Sequence, residues 1–364
     1  MNNMIIGLGN CGTQIVKAAS NSSLLKGTRM YCIDSQAASV DLNMVGNVTM
    51  IPIISDEKAG SGRNRERGAA MYKFHEDNGA FEEMYGVAKE VKSPVIVITS
   101  AAGGTGSGST VPLCEALISK GIHVIPIIVC PSMVDPDAYH LNTNDLMIEL
   151  AEVGIETYSI FRNSGIDADY TQVNKEVVEL IEIIFGKRYD KTTLDSIDDS
   201  DMDVVLSTPG RFIAVSVSAP DVKTLKRDLV RKVFSGFQPA WNDEESDNNT
   251  FMKAYSLTSM FAEQDFKEVF EEIDCRIKHM FDEFRNIVNS DNCGVAQATV
   301  VIAGLPRAEI KMIDTEFKGA TGIAEGMTRS KRPSFVNRKK ASVTQEQKQN
   351  GDTTLAIKKF NWYE

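Results

Sequence analysis

Two glycine-rich segments carry residue types that bind anions through the protein backbone. The first, GGTGSGST, runs from Gly103 to Thr110 between an apolar run and a helix-like stretch. A Cβ on its first three glycines would obstruct phosphate oxygens that approach the main chain, and its hydroxyl groups can donate further hydrogen bonds. A helix that begins here would also point its positive end at the anion. The pattern predicts a phosphate-binding loop formed by Gly103, Gly104, Thr105, Gly106 and Ser107.

The second segment, Gly7–Gly12 (GLGNCG), fits the pattern GxGxxG after a predicted strand, and Asp34 ends the next strand. This pattern is the dinucleotide-binding fingerprint, in which the carboxylate would bind a ribose hydroxyl. A dehydrogenase needs one pyrophosphate loop, whereas this chain has two. Ser109 stands where a P-loop requires lysine, so an ordinary P-loop NTPase is not expected. Two loops that face one cleft favour a nucleoside triphosphate, with a pair of simple glycine-rich turns as the alternative.

These and further segments resemble motifs of the tubulin/FtsZ superfamily, and they follow one another in the order that the family has. GGTGSG resembles its phosphate-loop signature, and AGSGRNRERGAA (59–70) resembles the FtsZ loop that caps the terminal phosphate. Arg162-Asn163 resembles the turn that reads guanine, and SIDDSD (196–201) resembles the catalytic NxDxxD loop with serine in place of asparagine. The resemblance implies a GTPase that binds GTP and GDP with Mg²⁺.

The resemblance also implies a role for each matching residue. The α- and β-phosphates would lie against Gly9, Asn10, Cys11 and Gly12. The terminal phosphate would lie against Gly60, Gly62, Arg63 and Asn64. Asp34 would help to position Mg²⁺. The sugar would lie near Asp135 and Asp137, where Pro136 and His140 replace the family's glutamate and arginine. The base would stack on Tyr170 and meet the amides of Asn163 and Asn174.

Simpler interpretations exist for several of these residues. Asn163 could lie in an ordinary turn, and Asn174 could lie on a solvated helix face. The basic segment that includes Arg63, Arg65 and Arg67 could sense the terminal phosphate through charge-assisted hydrogen bonds, or could be a solvated turn. Asparagine amides nevertheless supply both the donors and the acceptors that the guanine edge requires.

The acidic run DSIDDSDMD (195–203) is ordinarily interpreted as a solvated loop. No candidate base is evident beside the terminal phosphate, however, and tubulin-like proteins supply it from the neighbouring subunit. The resemblance therefore implies that Asp198 and Asp201 polarise the attacking water across a head-to-tail contact. Because such a contact is heterologous and does not close, it implies self-assembly into filaments.

The hydrophobic pattern predicts the elements that position these residues. Short apolar runs alternate with helical stretches in the first half, which is typical of a parallel sheet covered on both faces, with ligands beyond the carboxyl ends of the strands. A long amphipathic helix follows near Tyr170, and a further helix is predicted over Ala262–Asn289. The predicted strands are Met4–Gly7, Arg29–Ile33, Thr49–Pro52, Val95–Thr99, Val124–Val129, Arg211–Ser218 and Ala298–Ile302.

We therefore predict an α/β fold of the tubulin/FtsZ type. A Rossmann-like GTPase domain with a parallel sheet (1–168) would be joined by a long central helix (169–190) to a smaller α+β domain (191–328). A basic flexible tail (329–364) would follow.

Composition limits the compartment and the partners. The chain has 364 residues, 42% of them hydrophobic, and a net charge of −11, so its body should not bind nucleic acid or an anionic membrane by itself. Six cysteines without a CxxC pair indicate reduced thiols, and the four histidines lack zinc-ligand spacing. Without a signal peptide or a membrane-spanning run, we expect a cytoplasmic, filamentous protein with no direct membrane binding.

The tail differs in charge from the body. From Arg329 to Lys359 it carries nine basic and two acidic side chains, a net +7, before the aromatic residues Phe360, Trp362 and Tyr363. It could be a solubilising extension, but a DNA-bound helix-turn-helix adaptor is the partner that we expect. This tail favours the plasmid and phage partition tubulins, the TubZ family. The alternatives are an FtsZ-like division GTPase, a non-polymerising nucleotide-binding regulator and a nicotinamide-dependent oxidoreductase.

Overall fold

The computed structural model describes residues 3–35, 47–54, 60–91, 93–163, 170–185, 197–234, 251–277, 280–290 and 294–305. These residues fall within one compact unit, Met1–Ile313. The predicted basic tail, 329–364, lies outside the described residues.

Among the described residues, ten strands form one sheet with the order β3-β2-β1-β4-β5-β6-β7-β10-β8-β9. The strands are β1 (Met4–Leu8), β2 (Arg29–Asp34), β3 (Val48–Pro52), β4 (Val95–Ser100), β5 (Val124–Cys130), β6 (Thr157–Arg162), β7 (Gly210–Ala219), β8 (Phe251–Ser259), β9 (Met280–Asn289) and β10 (Ala296–Leu305). All neighbours from β3 through β7 are parallel, so their carboxyl ends lie at one edge. Strand β10 is antiparallel to β7 and β8, and β9 is parallel to β8.

The predicted α/β fold with a largely parallel sheet is confirmed, and each predicted strand is present to within a few residues. The local pattern was sufficient because alternate residues of each strand face two separate cores. Met4, Ile6 and Leu8 lie in one hydrophobic cluster, whereas Ile5 lies in the other. A strand buried on both faces is apolar throughout, and such a run is easily recognised in a sequence.

The helix predicted over Ala262–Asn289 is wrong in its second half. The helix ends at Arg276, and Met280–Asn289 forms β9. Apolar residues at 280, 281, 284, 287 and 288 fit a helical period, but this segment pairs along its whole length with β8. Tertiary pairing therefore overrode the local pattern.

Helices cover both faces of the sheet. They are α1 (Gly9–Ser20), α2 (Arg65–Asp77), α3 (Glu82–Lys89), α4 (Thr105–Ser119), α5 (Asp137–Glu152), α6 (Thr171–Phe185), α7 (Asp199–Leu206), α8 (Val222–Phe234) and α9 (Ala262–Arg276). One cluster lies under α2 to α5 and a second under α1, α6 and α7, while a third lies between the last four strands and α8 and α9.

Helix α6 is the amphipathic helix that was predicted near Tyr170. Its buried side chains Val173, Val177, Leu180 and Ile181 recur at three- and four-residue steps and pack in the second cluster, which also includes Val301 from β10. The predicted domain boundaries at 168, 190 and 328 stay predictions. No helix of the described residues is long and apolar enough to cross a bilayer.

Candidate functional site

The loops that follow β1, β2, β4, β5 and β6 lie at the shared carboxyl edge of the parallel strands, where α/β sheets bind ligands. These loops carry the predicted phosphate, sugar and base residues. The sheet therefore brings together segments that lie more than 100 residues apart in the chain.

The amino-terminal ends of α1 and α4 meet at this edge. An added Cβ at Gly9, whose φ is +65°, would lie 2.9 Å from the backbone nitrogen of Gly106, so only glycine allows the two turns to touch. Neither helix has a side-chain cap at its N-cap residue or an acidic side chain in its first turn. Their first N–H groups thus remain available for an anion, and the two helix dipoles add there.

The glycines at positions 103, 104 and 106, at the start of α4, differ in their neighbours. A Cβ at Gly104 would lie 2.6 Å from the backbone nitrogen of Asn64, and a Cβ at Gly106 would lie 2.8 Å from the carbonyl oxygen of Leu8. At these two positions an added Cβ would therefore collide with the backbone of the protein itself, whereas we expected it to obstruct a phosphate. Among the described residues, the nearest atom to a Cβ added at Gly103 is the Ser100 oxygen at 4.0 Å, so this position faces open space.

The predicted cap loop, residues 60–64, has an unusual backbone. Gly60, Gly62 and Arg63 have φ of +89°, +63° and +66°, and Arg63 has a side chain in a region that favours glycine. Asn64 is the N-cap of α2, and its side chain accepts from the backbone nitrogen of Arg67 at 2.8 Å.

Three buried hydroxyl groups join the cap loop to the ends of two other elements. The Thr105 hydroxyl donates to Ser61 Oγ at 3.0 Å and lies 2.6 Å from Ser35 Oγ. The Ser35 and Thr105 hydroxyls therefore share a short hydrogen bond in which either oxygen can be the donor. Neither serine was identified from the sequence, since nothing local to either residue indicates the contact.

Two arginines of this segment have separate roles. The Arg65 guanidinium donates to Glu149 at 3.1 and 2.8 Å and to Ser107 Oγ at 2.8 Å, so it links α2 to α5 and α4. The exposed Arg63 guanidinium lies over the Tyr139 ring, 4.9 Å from its centroid.

The base-reading candidates lie after β6 and at the start of α6. The backbone nitrogen of Asn163 donates to the Cys130 oxygen at 3.0 Å, while its side-chain Oδ1 is buried and has no hydrogen-bond partner among the described residues. Tyr170 is 53% exposed, so its ring can stack on a planar ligand. Asn174, one turn later, lies on the same face of the helix.

The remaining candidates are placed as follows. Asp34 ends β2, is 2% exposed and accepts from the backbone nitrogen of Ser35 at 2.7 Å. Asp135 accepts from the backbone nitrogen of Ser132 at 2.6 Å, which fixes the turn before α5, and Asp137 begins that helix.

Asn10, Cys11 and Gly12 lie in the first turns of α1. Burial raises the pKa of the Cys11 thiol to about 12, so this thiol is neutral. Within the described residues, no three His, Cys, Asp or Glu side chains are grouped to hold a metal ion.

Asp198 and Asp201 lie away from this edge. They form a capping box on α7, in which Asp198 Oδ1 accepts from the backbone nitrogens of Ser200 and Asp201, and Asp201 Oδ2 accepts from that of Asp198. The chain returns from α7 to the amino end of β7, where the Gly210 nitrogen donates to Glu156 ahead of β6. Asp203, in the middle of α7, also interacts electrostatically with His123, the residue directly before β5. Helix α7, whose first turn holds the two aspartates, therefore lies toward the opposite edge of the sheet from the phosphate loops.

Comparison with family models and with curated protein sequences gives no match. Comparison with solved structures gives many. CetZ2 from Haloferax volcanii, as a GTPγS-bound protofilament, matches with a TM-score of 0.66 at 16% identity, over 85% of this chain and 95% of that one. A GTPγS-form protofilament of TubZ from Bacillus thuringiensis matches with 0.63 at 15% identity, over 84% and 88%. An empty FtsZ dimer from M. jannaschii matches with 0.61 at 13% identity, over 86% and 94%.

The chain therefore has the tubulin/FtsZ-like fold, as predicted. Its structural neighbours include CetZ, FtsZ and TubZ proteins, and the TM-scores of these three are similar.

Proposed function

We propose that this chain is a GTPase that binds guanine nucleotide at the carboxyl edge of its sheet. The observation that carries the proposal is the meeting of two uncapped helix ends, α1 and α4, through Gly9 and Gly106 beside the open position at Gly103. A polyphosphate would satisfy N–H groups that no side chain caps. The GTPγS-bound CetZ2 and TubZ structures, which share this fold, support the choice of nucleotide.

Each described candidate then has a task. Gly9 to Gly12 would bind the first phosphates from one side, residues 103–107 would bind them from the other, and residues 60–64 would cap the last. Asn163 Oδ1, which has no hydrogen-bond partner among the described residues, would accept from a guanine N–H group. Asn174 and Tyr170 would contact the base, and Asp135 and Asp137 would lie near the sugar.

Magnesium would neutralise charge that develops on the phosphate oxygens during hydrolysis. Asp34 is a buried carboxylate at the carboxyl edge of the sheet, where it would help to hold Mg²⁺. In such sites Mg²⁺ typically binds one or two carboxylates besides the phosphates.

We further propose that hydrolysis requires assembly. Asp198 and Asp201 lie at the edge opposite to the phosphate loops, so they can reach a nucleotide only in a second copy. Stacking one copy on the next is heterologous and open-ended, which yields a filament. The protofilament forms of CetZ2 and TubZ support this arrangement.

The cellular role that we propose is segregation or positioning of plasmid or phage DNA, in the host cytoplasm, through a DNA-bound helix-turn-helix adaptor. Two observations support it: the +7 charge of the tail on a chain of −11, and the fold shared with a phage TubZ. No direct membrane binding is proposed.

The nucleotide assignment is tested by measuring the affinity of the purified chain for GTP, ATP and NADH with Mg²⁺. We expect GTP to bind most tightly. Equal affinity for ATP would contradict the guanine assignment, and preference for NADH would support an oxidoreductase. Assembly is tested by sedimentation with GTPγS and by the dependence of the specific hydrolysis rate on protein concentration, which should rise with concentration.

The adaptor role is tested by deleting residues 329–364. GTP hydrolysis and sedimentation should be largely retained, while salt-sensitive capture of an adaptor–DNA complex should be lost. A truncated chain that captures the complex at full affinity would show that the tail is not the coupling element. In an FtsZ-like division protein, which is the alternative, no such complex would be captured by either form.

A further inference from the structure

One polar stripe of α5 contacts the cap loop and the neighbouring phosphate loop. Tyr139, Asn142 and Glu149 are spaced by three and seven residues, so they lie on the same side of the helix. Their contacts reach Arg63, Ala102 and Arg65.

Asn142 binds both loops with one amide group. Its Nδ2 lies 3.0 Å from the carbonyl oxygen of Ala102 and 3.2 Å from that of Arg63, so each of its two hydrogens has an acceptor. A trans peptide points its N–H away from its C=O. Since the Ala102 carbonyl faces α5, the N–H of Gly103 points away from α5, and Gly103 is the position that faces open space.

Tyr139 holds the side chain of the same loop residue. The Arg63 guanidinium lies over the Tyr139 ring, 4.9 Å from the ring centroid. Arg63 adopts φ of +66°, and a non-glycine residue keeps such a conformation only when its surroundings impose it. The hydrogen bond from Asn142 and the cation–π contact with Tyr139 are two such restraints.

Glu149 anchors the far end of the cap loop. It pairs with Arg65, whose Nε also donates to Ser107 on α4, and Arg65 is only 9% exposed. Helices α2 and α4 are in backbone contact here, because a Cβ at Gly68 would collide with Gly104 and one at Gly108 with Arg65. The segment after Arg65 is therefore fixed. Within residues 60–64, the Thr105 hydroxyl holds Ser61, while Tyr139 and Asn142 contact Arg63.

We propose that Tyr139 and Asn142 are positioning residues that hold the cap loop and the Gly103 peptide ready for a terminal phosphate. They thereby set the preference for GTP over GDP. This inference rests on the proposed function, because it assigns the recognition of one phosphate within the same site.

The test compares the binding of GTPγS and of GDP, each with Mg²⁺, by titration calorimetry. Asn142→Ala should weaken GTPγS about tenfold, the size expected when one to two hydrogen bonds are lost, and should weaken GDP no more than about twofold. The matched control is Asn21→Ala, which removes an amide-to-carbonyl bond (Nδ2 to the Lys17 oxygen, 3.0 Å) at the exposed end of α1. This control should change neither affinity.

A second pair of variants tests the ring. Tyr139→Leu should lower the GTPγS-to-GDP affinity ratio by about threefold, and Tyr139→Phe, which keeps a ring under Arg63, should restore it. Equal losses for both nucleotides in Asn142→Ala and Tyr139→Leu, or unchanged ratios, would overturn the inference.

The thermal midpoint of each nucleotide-free variant separates positioning from loss of fold. If Asn142→Ala does not fold, the same criterion applies to Asn142→Ser, which keeps one donor. If the unmodified chain binds neither guanine nucleotide, the proposed function has failed instead.

Discussion

The two helices that begin at the phosphate loops differ at their amino ends from α7, which lies toward the other edge of the parallel sheet. At the carboxyl edge, α1 and α4 begin without a side-chain cap or an acidic residue in the first turn. Helix α7 begins with a reciprocal capping box, in which the side chains of Asp198 and Asp201 each accept a hydrogen bond from the backbone N–H of the other.

This difference indicates where each edge needs a partner. Uncapped N–H groups beside glycines can bind an anion, so we expect the carboxyl edge to form a binding site within one chain. The capping box on α7 already satisfies the backbone N–H groups of its two aspartates, of which Asp198 is exposed and Asp201 is half-buried. In the proposed mechanism their catalytic task would require a second copy, whereas nucleotide binding at the carboxyl edge would not.

The largest expected effect concerns Asp201 in hydrolysis. Asp201→Asn keeps an oxygen that can accept from the Asp198 nitrogen but cannot take a proton, so the helix cap should survive. GTP hydrolysis should fall by about 10²–10⁴-fold, the range for loss of a positioned general base, while GTP binding and sedimentation persist. Asp198→Asn, which also keeps a good N-cap, is the matched comparison. Full activity in both variants would leave α7 with a purely structural role.

A second prediction contrasts neighbouring glycines. Gly104→Ala should lower the free energy of unfolding by about 3 kcal/mol, because its Cβ would displace the backbone at Asn64. Gly103→Ala should change that free energy by less than about 0.5 kcal/mol, because its Cβ meets no close neighbour. It should nevertheless weaken nucleotide binding, because the added methyl group would occupy space meant for a phosphate. Denaturant unfolding and calorimetry measure the two effects, and unchanged affinity in Gly103→Ala would place the phosphates elsewhere.

A third prediction concerns the base. The buried Oδ1 of Asn163 has no protein partner among the described residues, so Asn163→Ala should change stability little. The preference for GTP over ATP should fall by ~1–3 kcal/mol, since a guanine donor would lose its acceptor. Competition binding with both nucleotides measures this preference. An undiminished preference in Asn163→Ala, with a reduced one in Asn174→Ala, would move the main contact to α6.

The smallest expected effect is on the amino edge and depends on pH. Hydrogen bonds from the Ser200 side chain, and then from the backbone of Asp201 and Ser200, hold the pKa of Asp198 below its ordinary value. A lowered pKa in the folded state means that the cap stabilises α7 above about pH 4 and is lost as the pH falls through the lowered value. Exchange of the Ser200 and Asp201 amide hydrogens should therefore accelerate only in acid. In Asp198→Asn this acid step should be absent, and its persistence would assign the step to another group.

Much of the fold could be predicted because its signals are local. Strands β1 to β5 are short apolar runs, and α6 shows its buried stripe at helical spacing. The segment 280–289 could not be assigned in this way, because its apolar residues fit a helix and only pairing with β8 makes it a strand. Ser35, Ser61 and Asn142 carried no signal, since their partners lie 40 or more residues away in the chain.

By itself the sequence determined where a strand is followed by a helix start rich in backbone donors, since glycines, hydroxyl groups and flanking apolar runs are adjacent in the chain. The tertiary structure alone decided what those loops contact. Gly104 and Gly106 were expected to make room for a ligand, yet they make room for Asn64 and Leu8, and Gly103 alone among these three faces open space. The physical reason is that a missing Cβ is needed wherever two backbones approach closely, and only packing determines whether the second backbone belongs to the protein.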